Sequence, residues 1–145
     1  MGHGLSGIGL ALVGGLLGAC VGSFVGNVVM REPQGWRGLV LGRSSCPHCG
    51  VTLQVRDLVP ILSWLASRGR CRHCGTAVSP FYPVVELAGA LVGLAAFGLV
   101  APSYAVQAAV LGWWLVALAL IDLRSWRLPD VLTLPLLALG LVAAA

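Results

Sequence analysis

A chain of 145 residues with 58% hydrophobic and only 10% charged residues, and a mean hydropathy of +0.93, is not an ordinary soluble domain, which carries roughly 25% charged residues. Most of its surface must face lipid, so the lipid bilayer is the first expected partner. The net charge of +4 comes from nine Arg and no Lys, seven of them between Arg31 and Arg72; so local a cluster reads as a membrane-topology signal, and no nucleic-acid partner is expected.

Gly4 to Met30 carries no charged residue. About 20 apolar residues suffice to cross the hydrocarbon core, so residues 1–30 are expected to form the first transmembrane span. Gly14, Gly18, Gly22 and Gly26 recur every four residues on one helix face, a stripe that lets a second helix approach closely. Leu17-Gly18-Ala19-Cys20 resembles a lipoprotein cleavage site. Yet residues 1–7 bring no Lys or Arg for the n-region of a signal peptide, and the apolar run continues past Cys20. Cys20 is expected to be a small, buried packing residue.

Residues 31–80 form a loop with two near-copies of one motif, Cys46-Pro-His-Cys49-Gly and Cys71-Arg-His-Cys74-Gly, 21 residues apart. Each C-x-x-C puts two sulfurs on one tight turn, and the Gly that follows permits the bend. Two such knuckles complete a closed tetrahedral S4 shell, so a structural zinc held by Cys46, Cys49, Cys71 and Cys74 is expected. The competing readings are a disulfide framework, disfavoured in a reducing cytoplasm, and a redox pair. His48 and His73 sit inside the knuckles and can also ligate; with four Cys available they are expected to be solvated or to support the ligands.

Further apolar runs cover about 81–101, 105–122 and 131–145, separated by a short break at 101–104 and a polar turn from Asp122 to Asp130. The last run reaches only 15 residues, short of a crossing, and the chain is expected to be a fragment of a longer one. The 31–80 loop has seven Arg, the 122–130 turn two, and the N-terminus and 101–104 none. By the positive-inside rule the cysteine loop and the Asp122 turn are cytoplasmic, and the N-terminus is outside. The fold class expected is an all-α polytopic membrane protein, a helical bundle with a small zinc-ribbon-like cytoplasmic insert.

Five acids exist: Glu32, Asp57, Glu86, Asp122 and Asp130. A carboxylate inside a span costs about 2.5–3.5 kcal/mol at its centre and less near an interface, so Glu86 is expected to be interfacial and paired with Arg. Asp122 closes the third span, where Arg124 and Arg127 can counter it. Asp130 follows Leu128-Pro129 and suits the positive end of a fourth helix. Two carboxylates a few ångström apart can split a peptide bond by activating water and protonating the leaving amine, but the sequence pattern alone does not show such a pair.

In order along the chain, Gly22-Ser23-Phe24, Asn27-Val28-Val29, Arg31, Pro33, the first knuckle, Asp57-Leu58-Val59-Pro60-Ile61-Leu62-Ser63-Trp64-Leu65, Arg68-Gly69-Arg70 and the second knuckle are followed by Tyr82-Pro83-Val84-Val85-Glu86-Leu87, Ile121-Asp122-Leu123 and Leu128-Pro129-Asp130-Val131-Leu132-Thr133-Leu134-Pro135. The ordered set resembles the type IV prepilin peptidases, or leader peptidases. The resemblance implies a polytopic aspartic endopeptidase of the bacterial inner membrane that cuts leaders from prepilin or pseudopilin precursors at the cytoplasmic face. Many members also methylate the new N-terminus with S-adenosylmethionine. By the same resemblance Asp122 matches the first catalytic aspartate, while Asp130 and Glu86 are carried over as supporting residues.

The departures are specific. The family's second aspartate follows a G-x-G-D pattern in a later span, and no Asp here follows a Gly. Gly26 interrupts the first motif, and Glu32 stands where an apolar residue is usual. Residues 81–145 are therefore expected to be the start of a membrane peptidase domain, inactive by itself. The competing expectations are a non-catalytic zinc-bearing scaffold in pilus or secretion assembly, and a membrane thiol–disulfide enzyme.

Overall fold

Residues 3–31, 44–126 and 128–144 are described by a computed structural model, with side chains over 7–31, 44–126 and 128–141. Expectations that fall on Glu32, Pro33, Arg37, Arg43 and Arg127 lie outside the described residues. The helices are α1 (His3–Arg31), α2 (Leu62–Ala66), α3 (Phe81–Leu99), α4 (Pro102–Ser125) and α5 (Asp130–Ala144), with a 3-10 turn at Val55–Asp57. Among the described residues no strand forms; two isolated bridges, Ser45 with Thr52 and Arg70 with Ala77, are the only β pairing. The chain is an all-α bundle with a small cysteine-bearing insert between α1 and α3.

By length and composition α1, α3 and α4 can each cross a membrane. At 15 residues, α5 rises about 22 Å, below the roughly 30 Å of a hydrocarbon core. One boundary differs from expectation. The break placed at 101–104 shrinks to Val100 and Ala101, which are extended, because α4 starts at Pro102. Proline fits the first helical turn: its φ is preset and no N–H is lost there.

The principal contact is between α1 and α3, and it is made backbone to backbone. A Cβ on Gly18 would collide with the Gly89 carbonyl. On Gly22 it would sit 2.6 Å from the Val85 oxygen and 2.7 Å from Glu86 Cα, and on Gly14 2.6 Å from the Gly93 oxygen. Gly89 and Gly93 face α1 in the same way. Between lipid-facing helices the hydrophobic effect offers no drive, so contact of this closeness is what holds them together. Gly26 stands apart, with ordinary contact to Tyr82 at 3.5 Å.

The seam also corrects the expectation for Cys20. Ala19 is buried against the bundle, and the next residue is turned about 100° further round the helix, so Cys20 is exposed on the face left to lipid. At one end of the bundle, Val25 and Val29 of α1, Val85 of α3, and Ala117 and Ile121 of α4 form the core, with Phe81 and Leu132 packed on it. Two indoles tie α4 in place: Trp113 Nε1 donates to the Gly89 carbonyl at 2.9 Å and Trp114 Nε1 to the Leu132 carbonyl at 3.0 Å.

Gly18→Leu should therefore wedge α1 from α3 and cost about 1–3 kcal/mol or more, read as a fall in melting temperature in detergent. Gly26→Ala should stay within about 0.5 kcal/mol of the parent. Equal melting temperatures for the two variants would contradict the seam.

Candidate functional site

The cysteine insert is built twice from one local design. In the first knuckle the Cys46 N–H donates to Val51 O (3.0 Å), Gly50 N–H to Cys46 O (2.9 Å) and Leu53 N–H to Ser44 O (2.8 Å). In the second, Cys71 N–H donates to Thr76 O (2.8 Å), Gly75 N–H to Cys71 O (2.9 Å) and Val78 N–H to Gly69 O (2.7 Å). Gly50 and Gly75 hold φ of +70° and +73°, a region that favours glycine. The turn chemistry of the repeated Gly is thus what sets each pair of sulfurs.

The two pairs converge. The Sγ atoms of Cys46, Cys49, Cys71 and Cys74 all lie within 4.8 Å of one another, and Cys46 Sγ is 3.8 Å from Cys74 Sγ. A tetrahedral ion bound about 2.3 Å from each sulfur, the distance for zinc, sets sulfurs about 3.8 Å apart. The donor set and spacing fit a soft metal ion. Protonation energetics agree. The Thr76 hydroxyl, 3.3 Å from Cys74 Sγ, and its backbone draw that thiol down to about 6. Backbone N–H groups of Cys49 and His48 lower Cys46. At Cys49 the Val51 backbone pulls down, but burial and the three neighbouring sulfurs together push the thiol up to about 11. Four thiols this close do not all ionise without a cation among them. His48 and His73 are exposed and lie outside this sulfur cluster.

Four contacts attach the insert to itself and to the bundle. Asp57 Oδ2 accepts the Gln54 N–H at 3.1 Å. Its Oδ1 lies 2.8 Å from Arg72 Nε in the second knuckle, a charge contact without hydrogen-bond alignment. Trp64 Nε1 donates to the Val78 carbonyl at 3.1 Å, which fastens α2 to the exit from that knuckle. The fourth contact reaches α3: Glu86 Oε2 accepts the backbone N–H of Ile61 at 2.6 Å.

That last contact gives Glu86 a backbone partner beside the expected pairing with Arg. The side chain is buried, at 7% exposure, and among the described residues its hydrogen-bond partner is a backbone amide. Ile61 stands at φ +61°, ψ −51°, and the Leu62 N–H bonds back to the Pro60 carbonyl. This is a γ-turn of the rare positive-φ kind, strained for a β-branched residue. Nothing in an Asp-Leu-Val-Pro-Ile run signals such a turn, which is why sequence reasoning missed it; Pro60 before Ile61 is the one cue. Glu86 also lines a cleft of about 640 Å³ between α1, the insert and α3, together with Ser23, Asn27, Asp57, Trp64 and Tyr82.

Asp122 is placed elsewhere, partly buried in the last turn of α4, next to the fully buried Ile121. Arg124, which could have countered it, instead lies over the Phe81 ring, 5.6 Å from the centroid, and donates from Nη1 to Met30 Sδ at 3.0 Å. Trp126 closes α4 in a left-handed cap, its N–H donating to the Asp122 carbonyl. Asp130 is exposed and opens α5. The cysteines are thus brought together, Glu86 is joined to the insert, and Asp122 and Asp130 lie outside the cleft lining.

Cys46→Ser should lower the metal content from one ion per chain and disorder residues 44–76; retained stoichiometric metal in the variant would contradict the four-sulfur centre. Each sulfur must lose its proton to bind, and Cys49, held up at about 11, is still protonated at neutral pH. Metal affinity in chelator competition should therefore rise from pH 6 to pH 8, and a flat profile would contradict this.

The profile described as "Bacterial Peptidase A24 N-terminal domain" matches residues 16–100, and that described as "Type IV leader peptidase family" matches residues 109–145. A type 4 prepilin-like proteins leader peptide-processing enzyme of Escherichia coli O78:H11 (strain H10407 / ETEC) is 42% identical, over 93% of this chain and 56% of its own length. A prepilin leader peptidase/N-methyltransferase of Dickeya chrysanthemi is 44% identical over 88% and 53%, and one of Myxococcus xanthus (strain DK1622) 44% over 89% and 38%. The chain spans about half the length of the first two of these relatives. No solved structure matches it significantly. With both profiles matched in order and the paired cysteine knuckles in place, the chain belongs to the A24 family of type IV leader peptidases.

Proposed function

We propose that this chain works as part of a membrane aspartic endopeptidase that removes the leader from type IV prepilin or pseudopilin precursors at the cytoplasmic face of the bacterial inner membrane. In this reading residues 1–30 are the first span, 31–80 the cytoplasmic four-cysteine loop, and 81–145 the start of the peptidase domain. The observation that carries it is the setting of Asp122: a partly buried carboxylate at the end of a span-length helix, within the stretch matched by the leader peptidase profile.

Asp122 would serve as one half of an acid/base pair. Its carboxylate takes a proton from water as the water oxygen attacks the scissile carbonyl, and a second carboxylate of the longer protein protonates the leaving amine as the C–N bond breaks. The apolar stem of the precursor lies against the span bundle while its charged leader stays in the cytoplasm, near the Arg-rich loop. Asp130 supports the arrangement as the acidic start of α5, where the helix dipole favours a negative charge. Zinc at Cys46, Cys49, Cys71 and Cys74 is structural, since a closed S4 shell leaves no open position for substrate. The methylation named for several relatives would draw its methyl group from S-adenosylmethionine.

The test uses the whole native gene in a peptidase-deficient strain. The parent should process the precursor, and Asp122→Asn should slow cleavage by about 10²–10⁴-fold at unchanged protein level. Uncleaved precursor with the well-expressed parent gene would overturn the enzyme reading and favour a zinc-bearing scaffold.

A further inference from the structure

We propose that residues 55–66 of the cysteine insert are a membrane-surface anchor, seated among the headgroups and upper acyl chains of an anionic phospholipid bilayer. Val55, Leu62 and Leu65 are 84%, 64% and 57% exposed, and Leu58 and Val59 are exposed with them. Exposed apolar side chains gathered in this way mark an interaction surface. The anchor requires α3 to cross a membrane and is independent of the peptidase reading.

The depth of this segment says what covers it. At 19 residues, α3 rises about 28 Å, close to the roughly 30 Å of a hydrocarbon core, so a crossing takes its whole length. Glu86 follows the first residue, Phe81, by five positions, about 7.5 Å along the axis, and helix side chains lean toward the N-terminus. Its carboxylate bonds the Ile61 N–H at 2.6 Å, which holds Ile61 beside the first turns of α3. Val84 and Leu87 on those turns are themselves exposed. Leu58, Val59 and Leu62 lie within three residues of Ile61, at the level where headgroups give way to acyl chains. An insert standing clear of the membrane would not be tied to α3 at this depth.

Charge agrees. Between Ser44 and Pro80 the insert has four Arg against one acid, Asp57. Arg72 lies on Asp57, whereas Arg56, near one end of the apolar stretch, and Arg68 and Arg70, past the other, are exposed. Basic residues flanking an apolar wedge suit negative headgroups above and acyl chains below.

The experiment places a nitroxide at position 58, 62 or 65 of the metal-loaded full-length protein, carried on p-acetylphenylalanine so that the cysteines stay untouched. The protein is held in nanodiscs of phosphatidylglycerol and phosphatidylcholine. Collisions are measured with oxygen, which enters acyl chains, and with a nickel chelate, which stays in water. Each label should meet oxygen in preference to the chelate. A label that the chelate reaches freely places the insert in water, and one that neither reagent reaches is covered by protein; either result overturns the anchor. In phosphatidylcholine alone, chelate access should rise by about twofold or more as the Arg side chains lose their anionic partners. Equal access in the two lipids overturns the choice of an anionic surface.

One metal ion per chain shows that a labelled insert is folded. Should every labelled protein lose its metal, the unlabelled parent is crosslinked to a phospholipid carrying a photoreactive group on its upper acyl chain. Lipid adducts within residues 55–66 support the anchor, and adducts confined to the spans overturn it.

Discussion

The close approach of α1 and α3 governs where everything else lies. Because Gly14, Gly18 and Gly22 have no Cβ, the α1 backbone rests on the carbonyls of Gly93, Gly89 and Val85, and in a lipid-facing bundle such contact replaces the hydrophobic drive. Gly22 brings α1 against the backbone of Glu86 itself. The same approach lets Gly89 accept the Trp113 N–H, so α4 is registered on α3 at the point where α1 touches it. A side chain at this seam would displace three helices.

Consecutive residues of α3 then serve the two regions of chemical interest. Val85 is buried in the core with Ile121, the residue before Asp122, while Glu86 holds the Ile61 amide and lines the cleft. The cysteine centre is fixed to the same turn through Trp64 on Val78 and Arg72 on Asp57. A metal that orders the knuckles therefore also orders the wall of the cleft. Arg124, laid over Phe81 and against Met30, holds the end of α4 against the ends of α1 and α3, which sets the turn that carries Asp122.

Most of this was legible where one residue type decides the outcome. The knuckles follow from Cys-x-x-Cys-Gly, because only a few backbone paths satisfy that spacing and the glycine supplies the positive φ. The spans follow from uncharged runs, and the seam from glycines four apart. Cys20 was misplaced because an apolar run does not say which face meets protein and which meets lipid when both are apolar. The backbone partner of Glu86 was not foreseen because charge pairing was the obvious compensation, and the fold supplies an amide from a residue 25 positions earlier. That amide points to α3 only because Ile61 adopts a conformation its own side chain disfavours, which no local propensity encodes. The start of α4 moved because Pro102 reads as a break in a hydropathy run and as a first turn in a helix.

The link from insert to bundle can be measured directly by hydrogen exchange of the Ile61 amide in the metal-loaded protein, resolved against the nearby Val59 amide. If the Glu86 carboxylate holds that N–H in a buried bond, Ile61 exchanges far more slowly than Val59 and loses its protection in Glu86→Ala while the metal stays bound. An Ile61 amide that exchanges as fast as Val59, with the metal in place, would contradict the attachment of the cysteine centre to α3.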